Sequence, residues 1–287
     1  MPVAIKDMTL KKAQVSSSIS NWREKILKRY SLEEAVFPWN IFKPIIFFGV
    51  YNLIDFLKLF FHRGKRIVFW CGSDLRDLNW WKKILIKNMK ARHVCETMDG
   101  ELDVLLSLRK VVEVLPQFFG DIGEFQPCFK PSKTPHVFMN CHVGREKEYG
   151  LSTVQLIAEE LPEFTFHVYG IPFFDSAFTF FFQKNIVFHG KVSEKQFNEE
   201  IRYYQAGLRL NKFDGNSDIV MKSVLLGQYP ITYLNYDQID SAKSAEDLIE
   251  KLRELKKKKA ANPASDYWRE RLNHTRKVLL QEEQNQI

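Results

Sequence analysis

The chain has 287 residues, of which 45% are hydrophobic and 14% aromatic, which is enough to bury the cores of two modest domains. Its net charge of +7 and pI near 9.1 favour an anionic partner, such as a phosphorylated ligand, an acidic membrane or a nucleic acid. Nucleic acid is the least favoured of the three, because neither an RNA-recognition aromatic signature nor a zinc-finger spacing occurs.

The first part of the chain alternates short apolar runs with helical patterns. The predicted strands are residues 44–49, 66–71, 92–96 and 111–115, and the predicted helices are residues 53–61, 75–90 and 101–109. This alternation predicts βαβ units and a parallel sheet, in which ligands bind at the carboxyl ends of the strands. No first strand with a glycine-rich loop is recognisable within residues 1–40, so we expect a reduced N-terminal lobe.

A stretch rich in Gly and Pro, residues 118–135, interrupts the alternation and has the composition of a linker. Further strands are predicted at residues 136–141, 164–169, 186–189, 206–210 and 229–233, with helices at 151–161, 194–204, after residue 217, from about 244, and at 266–281. We therefore predict an N-terminal lobe over residues 1–120, a linker over 121–135, a C-terminal lobe over 136–265 and a C-terminal helix over 266–287.

Cysteine usage and the apolar segments predict a cytoplasmic protein. The four cysteines, Cys71, Cys95, Cys128 and Cys141, are scattered and form no C-x-x-C pair, which is typical of buried thiols in a reducing compartment. Residues 1–20 lack the apolar core of a signal peptide. The tract 37–61 is interrupted by charges, a proline and a glycine, so we do not expect it to span a membrane.

The most informative segment is residues 208–232, LRLNKFDGNSDIVMKSVLLGQYPIT, which reads as strand, loop, helix and strand. A helix that begins behind a Gly/Asn/Ser turn presents unpaired N–H groups and the positive end of its dipole. Such a loop after a strand is suited to bind a phosphate. An ordinary capped helix in an α/β sheet is the alternative explanation.

This segment resembles the donor-binding motif of GT-B nucleotide-sugar glycosyltransferases, particularly glycosyltransferase family four. Asp214-Gly215 stand at the motif's loop, Leu226-Gly227-Gln228 at its small-residue turn and Pro230-Ile231 at its next strand. The resemblance implies a catalytic role for Asp214 and donor contacts for Gly215, Asn216 and Ser217.

The helix of this motif departs from the family at one position. Where the family has a Glu that contacts the donor sugar or ribose, this chain has Lys222. A lysine can only donate hydrogen bonds. We therefore expect either a donor with a carboxylate, such as a uronic acid, or weak catalysis in a protein that mainly binds its ligand.

Three further segments extend the resemblance through the C-terminal lobe. Residues 144–150, GREKEYG, resemble the family's G-R-x(n)-K-G loop, which implies that Arg145 and Lys147 hold the donor diphosphate. Residues 168–170 resemble the next strand end, at Gly170. Residues 188–193, FHGKVS, resemble the segment that touches the nucleoside base, at Gly190 and Val192. Arg209 is expected to steady the Asp214 loop or a phosphate, and Ser193 is equally explained as a helix cap.

In the N-terminal lobe, residues 70–74, WCGSD, resemble the H-W-x-G-S-D strand end of some bacterial surface-glycan transferases. The resemblance implies that Gly72 allows close approach of the sugar and that Ser73 and Asp74 bond hydroxyls or assist the acceptor, Asp74 as a second catalytic candidate. Gly49 and Tyr51 end the preceding strand and are expected at the same cleft edge. The alternative is that Ser73 or Asp74 caps the following helix.

These observations together predict an α/β protein with two Rossmann-like lobes of GT-B type, parallel sheets and a cleft between them. By resemblance, it transfers a sugar from a nucleotide-diphosphate donor to a glycan or lipid-linked acceptor, with retention, without a cofactor and without a metal. A metal group of His136, Cys141 and His142 is disfavoured. A non-catalytic glycan- or nucleotide-binding relative and a nucleotide-sugar epimerase are the alternatives.

The basic charge and the 24 Phe residues also suggest peripheral attachment to an acidic membrane surface. The alternative, which the sequence favours, is that the aromatics of residues 37–61 form the core of the N-terminal lobe.

Overall fold

The computed structural model describes residues 10–76, 78–97, 101–108, 111–172 and 183–281. The chain divides into two compact units. The N-terminal unit comprises the residues up to Asp121 together with those from Glu270 onwards, and the C-terminal unit comprises Ile122–Arg269. Each unit is built on a sheet of six strands, and every strand pair within the two sheets is parallel. This confirms the predicted α/β fold with two Rossmann-like lobes.

The sheet of the N-terminal unit has the strand order β2-β1-β3-β4-β5-β6. Its strands are β1 (Lys12–Val15), β2 (Glu33–Glu34), β3 (Ile45–Phe48), β4 (Arg66–Phe69), β5 (Arg92–Cys95) and β6 (Glu113–Val114). Its helices are α1 (Arg23–Tyr30), α2 (Leu53–Phe61), α3 (Trp80–Asn88) and α4 (Glu101–Leu108). Because β3 and β4 are buried on both faces, their runs of apolar residues do not alternate with polar ones.

The sheet of the C-terminal unit has the order β12-β11-β10-β7-β8-β9. Its strands are β7 (His136–Asn140), β8 (Thr165–Tyr169), β9 (Ile186–Gly190), β10 (Ala206–Arg209), β11 (Ile231–Thr232) and β12 (Asp240–Ser241). Its helices are α5 (Glu146–Tyr149), α6 (Leu151–Glu160), α7 (Glu194–Glu200), α8 (Asp218–Leu225) and α9 (Ala245–Leu255), and α10 (Ala264–Gln281) begins in this unit. Aliphatic residues of α6 and α9 pack on one face of the sheet to form its core.

Residues 1–40 contain a first strand, β1, which was not recognisable in the sequence, although no glycine occurs before Gly49. β1 pairs with β3 over four residues and with β2 on its other side. The sequence of β1, KAQV, does not have the apolar pattern of a buried strand, because the polar residue Gln14 occupies one of its buried positions. The Gln14 amide is satisfied there, since it donates to the Val15 carbonyl oxygen at 2.9 Å and accepts from Lys58 Nζ at 3.2 Å.

The predicted helix over residues 75–90 is shorter than expected. A 3-10 turn covers Ser73–Leu75, and α3 begins only at Trp80, after Asn79, whose side chain accepts from the Lys82 N–H. α2 matches its predicted bounds because Asn52 and Asp55 form a capping box at its first turn. In the described part of the chain, no helix combines the length and apolar character that crossing a membrane requires.

Candidate functional site

The predicted diphosphate loop follows β7 at the carboxyl edge of the C-terminal sheet. The Arg145 N–H donates to the His142 carbonyl oxygen at 3.0 Å, and Gly144 has a φ of +79° within this turn. That φ lies in the left-handed region, which glycine adopts without steric cost. The turn leads into α5, and its residues His142 and Arg145 are exposed.

Two guanidinium groups meet at one aromatic ring. Arg145 lies 5.3 Å and Arg209, from the end of β10, 4.7 Å from the centre of the Tyr149 ring. His142 makes an edge-on contact with the same ring, with 5.2 Å between the ring centres. We call His142, Arg145, Tyr149 and Arg209 the cationic cluster. Cation–π contacts hold the two arginines close together in spite of their like charge.

Carboxylates hold the two arginines in place. Arg145 donates to both carboxylate oxygens of Glu148, at 2.8 and 2.5 Å. Arg209 donates from Nε to Asp214 Oδ2 at 2.6 Å and is mostly buried. Burial alone lowers the pKa of Arg209, but the adjacent Asp214 carboxylate outweighs it and the net pKa is raised. The structure therefore brings Arg145, Arg209 and Asp214 together, while Lys147 lies exposed on α5.

The first turn of α8 lies behind the Asp214 loop, as predicted. Gly215 N–H donates to Asp214 Oδ1 at 3.1 Å. Ser217 stands at the helix cap without a side-chain capping bond, and its N–H donates to the Tyr236 hydroxyl at 3.1 Å. The Tyr236 hydroxyl in turn donates to the Gly215 carbonyl oxygen at 3.0 Å. Tyr236, which the sequence did not single out, therefore fixes the loop that carries Asn216.

Lys222 is buried, with 3% of its side chain exposed. Its Nζ lies 2.8 Å from Asp218 Oδ2 and 3.5 Å from Glu194 Oε1. It also lies 5.7 Å from the centre of the Phe125 ring and 5.2 Å from that of Phe197. Asp218 and Glu194 are the first residues of α8 and α7, so the lysine joins the beginnings of the two helices.

The predicted base-binding segment lies at the carboxyl ends of β8 and β9. Gly170 N–H donates to the Gly190 carbonyl oxygen at 2.7 Å. A Cβ at Gly170 would come within 2.2 Å of the Cys141 carbonyl oxygen, so glycine is required for the strand ends to meet. Val192 is half-buried, and Ser193 caps α7 by accepting from the Gln196 N–H at 3.1 Å. This hydrogen bond is the one that the alternative explanation of Ser193 as a helix cap predicts.

Three histidines cross neighbouring strands of the same sheet, and the sequence did not reveal their connection. His136 Nδ1 lies 2.8 Å from His167 Nε2, and His167 Nδ1 lies 2.8 Å from His189 Nε2. His189 Nδ1 lies 3.5 Å from Glu200 on α7. We call His136, His167 and His189 the histidine row. Burial, followed by the two neighbouring imidazoles, lowers the pKa of His167 to about 3.

Tyrosine hydroxyls extend the histidine row. Tyr169 donates to Glu200 Oε2 at 2.6 Å, and its hydroxyl lies 2.9 Å from that of Tyr204, which lies 3.2 Å from His167 Nδ1. Within the described residues, no group of three His, Cys, Asp or Glu side chains has the arrangement of a metal site. The imidazoles of the row bond to one another instead of converging on a single point.

The predicted acceptor-side residues of the N-terminal unit also lie together. The Tyr51 hydroxyl donates to the Cys71 carbonyl oxygen at 3.1 Å and interacts with the Ser73 side chain. Gly49 and Gly72 both have positive φ, +70° and +81°, where the chain turns at the ends of β3 and β4. Ser73 is exposed, so this strand end presents the Ser73 hydroxyl, while the half-buried Tyr51 bonds through its hydroxyl to the Cys71 carbonyl oxygen.

Asp74 points inward from the same strand end and is 5% exposed. Its carboxylate accepts from the Val50 N–H at 3.0 Å and the Cys71 N–H at 3.1 Å, thereby holding the ends of β3 and β4. Burial raises the pKa of Asp74 to about 7. Glu101 is completely buried beside it, and burial together with the Asp74 charge raises its pKa as well.

The architecture resembles solved structures, although no protein-family model and no curated protein sequence matches the chain. HepE of Anabaena, solved in complex with UDP-glucose, has a TM-score of 0.62 at 11% identity over 89% of this chain and 88% of its own. The chain has the GT-B fold.

Two other solved structures agree with that fold. The lipopolysaccharide outer core galactosyltransferase WaaB has a TM-score of 0.60 at 12% identity, over 92% of this chain and 78% of its own. TarM has a TM-score of 0.60 at 13% identity, over 83% of this chain and 53% of its own. The chain thus spans about half the length of TarM. At these identities the likeness concerns the fold.

Proposed function

We propose that the protein is a glycosyltransferase whose C-terminal unit binds a nucleoside-diphosphate sugar. The observation that carries the proposal is the convergence of Arg145 and Arg209 on Tyr149, at the carboxyl edge of β7 and β10. Ligands of parallel α/β sheets bind at this edge, and two guanidinium groups suit a diphosphate. UDP-glucose in the HepE structure and galactosyl transfer by WaaB make a UDP-sugar the first donor to test.

The proposed reaction breaks the bond between the sugar C1 and the diphosphate oxygen, and its electrons stay on the departing diphosphate. The acceptor hydroxyl oxygen forms the new bond to C1, and its proton passes to the departing phosphate when configuration is retained. The charge that develops on the diphosphate faces Arg145, Arg209 and the first turn of α8, which stabilise it in a fixed geometry. In this proposal these groups supply the positive charge, and no metal or cofactor takes part.

Lys222 has a positioning role in this proposal. It joins Asp218 at the start of α8 to Glu194 at the start of α7. The loop before α8 contains Gly215 and Asn216, proposed to contact the sugar, and the segment before α7 contains Gly190 and Val192, proposed to contact the base. The buried lysine thus fixes the spacing of the two ligand-binding segments.

The N-terminal unit is proposed to contribute the acceptor side, through the hydroxyls of Tyr51 and Ser73 beside Gly49 and Gly72. Asp74 is proposed as a positioning residue, because its carboxylate holds the backbone N–H groups of Val50 and Cys71. The acceptor class, a glycan or a lipid-linked glycan, is proposed from the resemblance. Peripheral attachment to a membrane is consistent with a lipid-linked acceptor.

A non-catalytic nucleotide-binding protein is the second candidate. It is favoured by Lys222, which places a buried amine where the family has a carboxylate, and by Asp214, whose carboxylate is held by Arg209. Hydrolysis of UDP-glucose and other nucleotide sugars, with and without glycan acceptors, separates the two candidates. Turnover that requires an acceptor supports the transferase, and isomerised donor among the products would indicate an epimerase.

Titration calorimetry with UDP tests the site itself. We expect Arg145→Ala to weaken UDP binding by about 10- to 100-fold, since a charge-assisted hydrogen bond contributes about 1.5–3 kcal/mol. Lys147→Ala tests the second predicted cation of the loop, and Arg253→Ala on α9 is the matched control for an exposed arginine. Unchanged affinity in Arg145→Ala would remove the cationic cluster from the donor site.

A further inference from the structure

Two helices of the N-terminal unit expose large apolar side chains. These are Leu53, Ile54, Leu57, Phe60 and Phe61 on α2, and Trp80 and Ile84 on α3. We call them the α2–α3 face. Since α2 also buries Phe56 and Leu59 in the core, it is apolar on both its inner and its outer side. A helix of this kind is expected either in a protein interior or at an interface.

The two helices enclose an apolar groove. It has a volume of about 280 Å³ and is lined by Leu53, Phe56, Leu57, Phe60, Trp81 and Leu85. The turn before β3 exposes two further large aromatic side chains, Trp39, which is 80% exposed, and Phe42, which is 75% exposed. This turn lies at the end of α2, because the Arg63 and Gly64 N–H groups donate to the Ile41 carbonyl oxygen at 2.8 and 3.0 Å.

The aromatic tract 37–61 is therefore divided between core and surface. Phe47, Phe48 and Phe56 are buried, whereas Phe60 and Phe61 are exposed. The expectation that these aromatics form the core accounts for only part of them, since Trp39, Phe42, Phe60 and Phe61 are exposed.

The segments that carry this face contain far more basic than acidic residues. Residues 36–92 contain three acidic residues, Asp55, Asp74 and Asp77, of which Asp55 and Asp74 are 3% and 5% exposed. The basic residues of the same segments are Lys43, Lys58, Arg63, Lys65, Arg66, Arg76, Lys82, Lys83, Lys87, Lys90 and Arg92. The segments that carry the apolar face therefore have an excess of positive charge, which is complementary to an anionic surface and opposes a second copy of itself.

We propose that the α2–α3 face docks onto the surface of an acidic lipid bilayer. The apolar side chains of α2 and α3, with Trp39 and Phe42, enter the boundary between headgroups and acyl chains, and an acyl chain occupies the groove. The lysines keep their ammonium groups among the anionic headgroups. This docking depends on the exposed apolar side chains and the basic residues of the N-terminal unit. It does not require that the protein transfers a sugar.

Co-sedimentation of the full chain with vesicles of phosphatidylcholine, with and without phosphatidylglycerol, tests this proposal. We expect pelleting that requires the anionic lipid and decreases with salt. Insertion is read from tryptophan fluorescence quenched by lipids with brominated acyl chains. Trp80→Phe should reduce that quenching, because Trp80 is 74% exposed on the face.

Matched variants locate the docking site. Ile54→Ser combined with Ile84→Ser should weaken vesicle binding at least tenfold. Leu156→Ser on α6 is the control and should have no effect on binding. Its side chain is about as exposed as that of Ile54, 61% against 63%. Lys83→Glu with Lys90→Glu should weaken it at least about 25-fold, since each lysine near an anionic surface contributes about fivefold. Lys184→Glu with Lys259→Glu makes the same change in net charge in the C-terminal unit and should have a smaller effect.

Three results would overturn the proposal: equal binding to neutral vesicles, equal loss in the α2–α3 and control variants, or pelleting without quenching by the brominated lipids. Light scattering gives a further check. Concentration-dependent dimers that dissociate in Ile54→Ser combined with Ile84→Ser would assign the face to a second copy instead of a membrane. Circular dichroism of each variant verifies that it remains folded.

Discussion

The two units share a parallel six-stranded sheet but differ in the charge at the carboxyl ends of their strands. In the C-terminal unit, Arg145 and Arg209 flank Tyr149, and Arg145 is exposed to solvent. In the N-terminal unit, Asp74 and Glu101 are buried and accept hydrogen bonds from backbone N–H groups. One strand edge is thus available to an anionic ligand, whereas the acids of the other edge hold its own loops together.

The buried titratable groups of the two units differ in the same way. The C-terminal unit holds three buried or half-buried histidines whose pKa values are lowered. The N-terminal unit buries two carboxyls whose pKa values are raised, together with His62, whose pKa is lowered by burial. A lowered histidine pKa destabilises the folded unit as the pH falls, and a raised carboxyl pKa destabilises it as the pH rises. The strands around His167 and those around Asp74 should therefore respond to pH in opposite directions.

The largest expected effect is at His167. Its pKa is about 3 in the fold and about 6.5 when unfolded, so its contribution is complete above pH 6.5 and is lost as the pH falls towards 3. The loss amounts to at most about 5 kcal/mol. Hydrogen exchange of peptides from β7 to β9, corrected for intrinsic rates, measures it. His167→Phe should flatten the dependence, and exposed His274→Asn should leave it unchanged. An unchanged slope in His167→Phe would contradict the assignment.

Asp74 should give a dependence of opposite sign in β3 and β4. The pKa of Asp74 is about 7 in the folded protein, against 3.8 for an unperturbed aspartate. The contribution of Asp74 to folding stability is therefore complete below pH 4 and is lost as the pH rises through 7. The change is on the order of 3–4 kcal/mol. Asp74→Asn should reduce the slope, of which Glu101 retains a part, and should lower stability at low pH, because its NH₂ opposes a backbone N–H of Val50 or Cys71. Asp103→Asn, at an exposed site on α4, is the control. Parallel slopes in the two units would refute the comparison.

Much of the fold was predictable because apolar runs and caps lie within short segments. The bounds of α2 follow from Asn52 and Asp55, and the parallel sheets follow from strands that alternate with helices. β1 was missed because Gln14 is buried through bonds to Val15 and to Lys58, a residue 44 positions away. Such a partner becomes visible only once the strands are placed.

The candidate site was predictable where the residues lie in one loop, and less so where they come from several strands. The Asp214 loop and the Arg145 loop are local motifs, while the histidine row joins residues 31 and 22 positions apart through the pairing of β7, β8 and β9. Burial of Lys222 depends on Glu194 and Phe125, which are distant in sequence. The roles of the predicted site residues stay predictions.

Lys222 offers a third test, with a matched pair within the same unit. Asp218–Lys222 and Asp247–Lys251 have the same i,i+4 spacing, at 2.8 and 3.7 Å, but their lysine side chains are 3% and 25% exposed. We expect Lys222→Met to cost about 1–3 kcal/mol, because Asp218 and Glu194 are left together, and Lys251→Met less than about 0.5 kcal/mol. Lys222→Glu should cost more than Lys222→Met. Chemical denaturation measures both pairs, and equal costs would contradict the proposed role of Lys222 in joining α7 and α8.

The smallest expected effect is the protonation of His142, which lies at the carboxyl edge of the C-terminal sheet. Although the His142 side chain is exposed overall, the partial burial of its imidazole, followed by the charges of Arg145 and Arg209, lowers its pKa. Asp214, Glu146 and Glu148 are the acidic groups of the same loops, and they bond to Arg209, the Gly144 N–H and Arg145, respectively. A bound diphosphate neutralises the two arginines, so the pKa of His142 should rise on binding and the site should take up a fraction of a proton.

UDP affinity should therefore increase a few-fold as the pH falls from about 7.5 to 6, in the range where a histidine titrates. Calorimetry in two buffers with different ionisation enthalpies measures the proton uptake directly. His142→Asn should bind without that uptake and with a weaker pH dependence, while His136→Asn, at the other end of β7, should retain it. Equal proton uptake in His142→Asn would assign the proton to the phosphate of the ligand. The carboxyl edge of the C-terminal sheet would then differ from that of the N-terminal sheet only through the permanent charges of its arginines, and not through a titrating histidine.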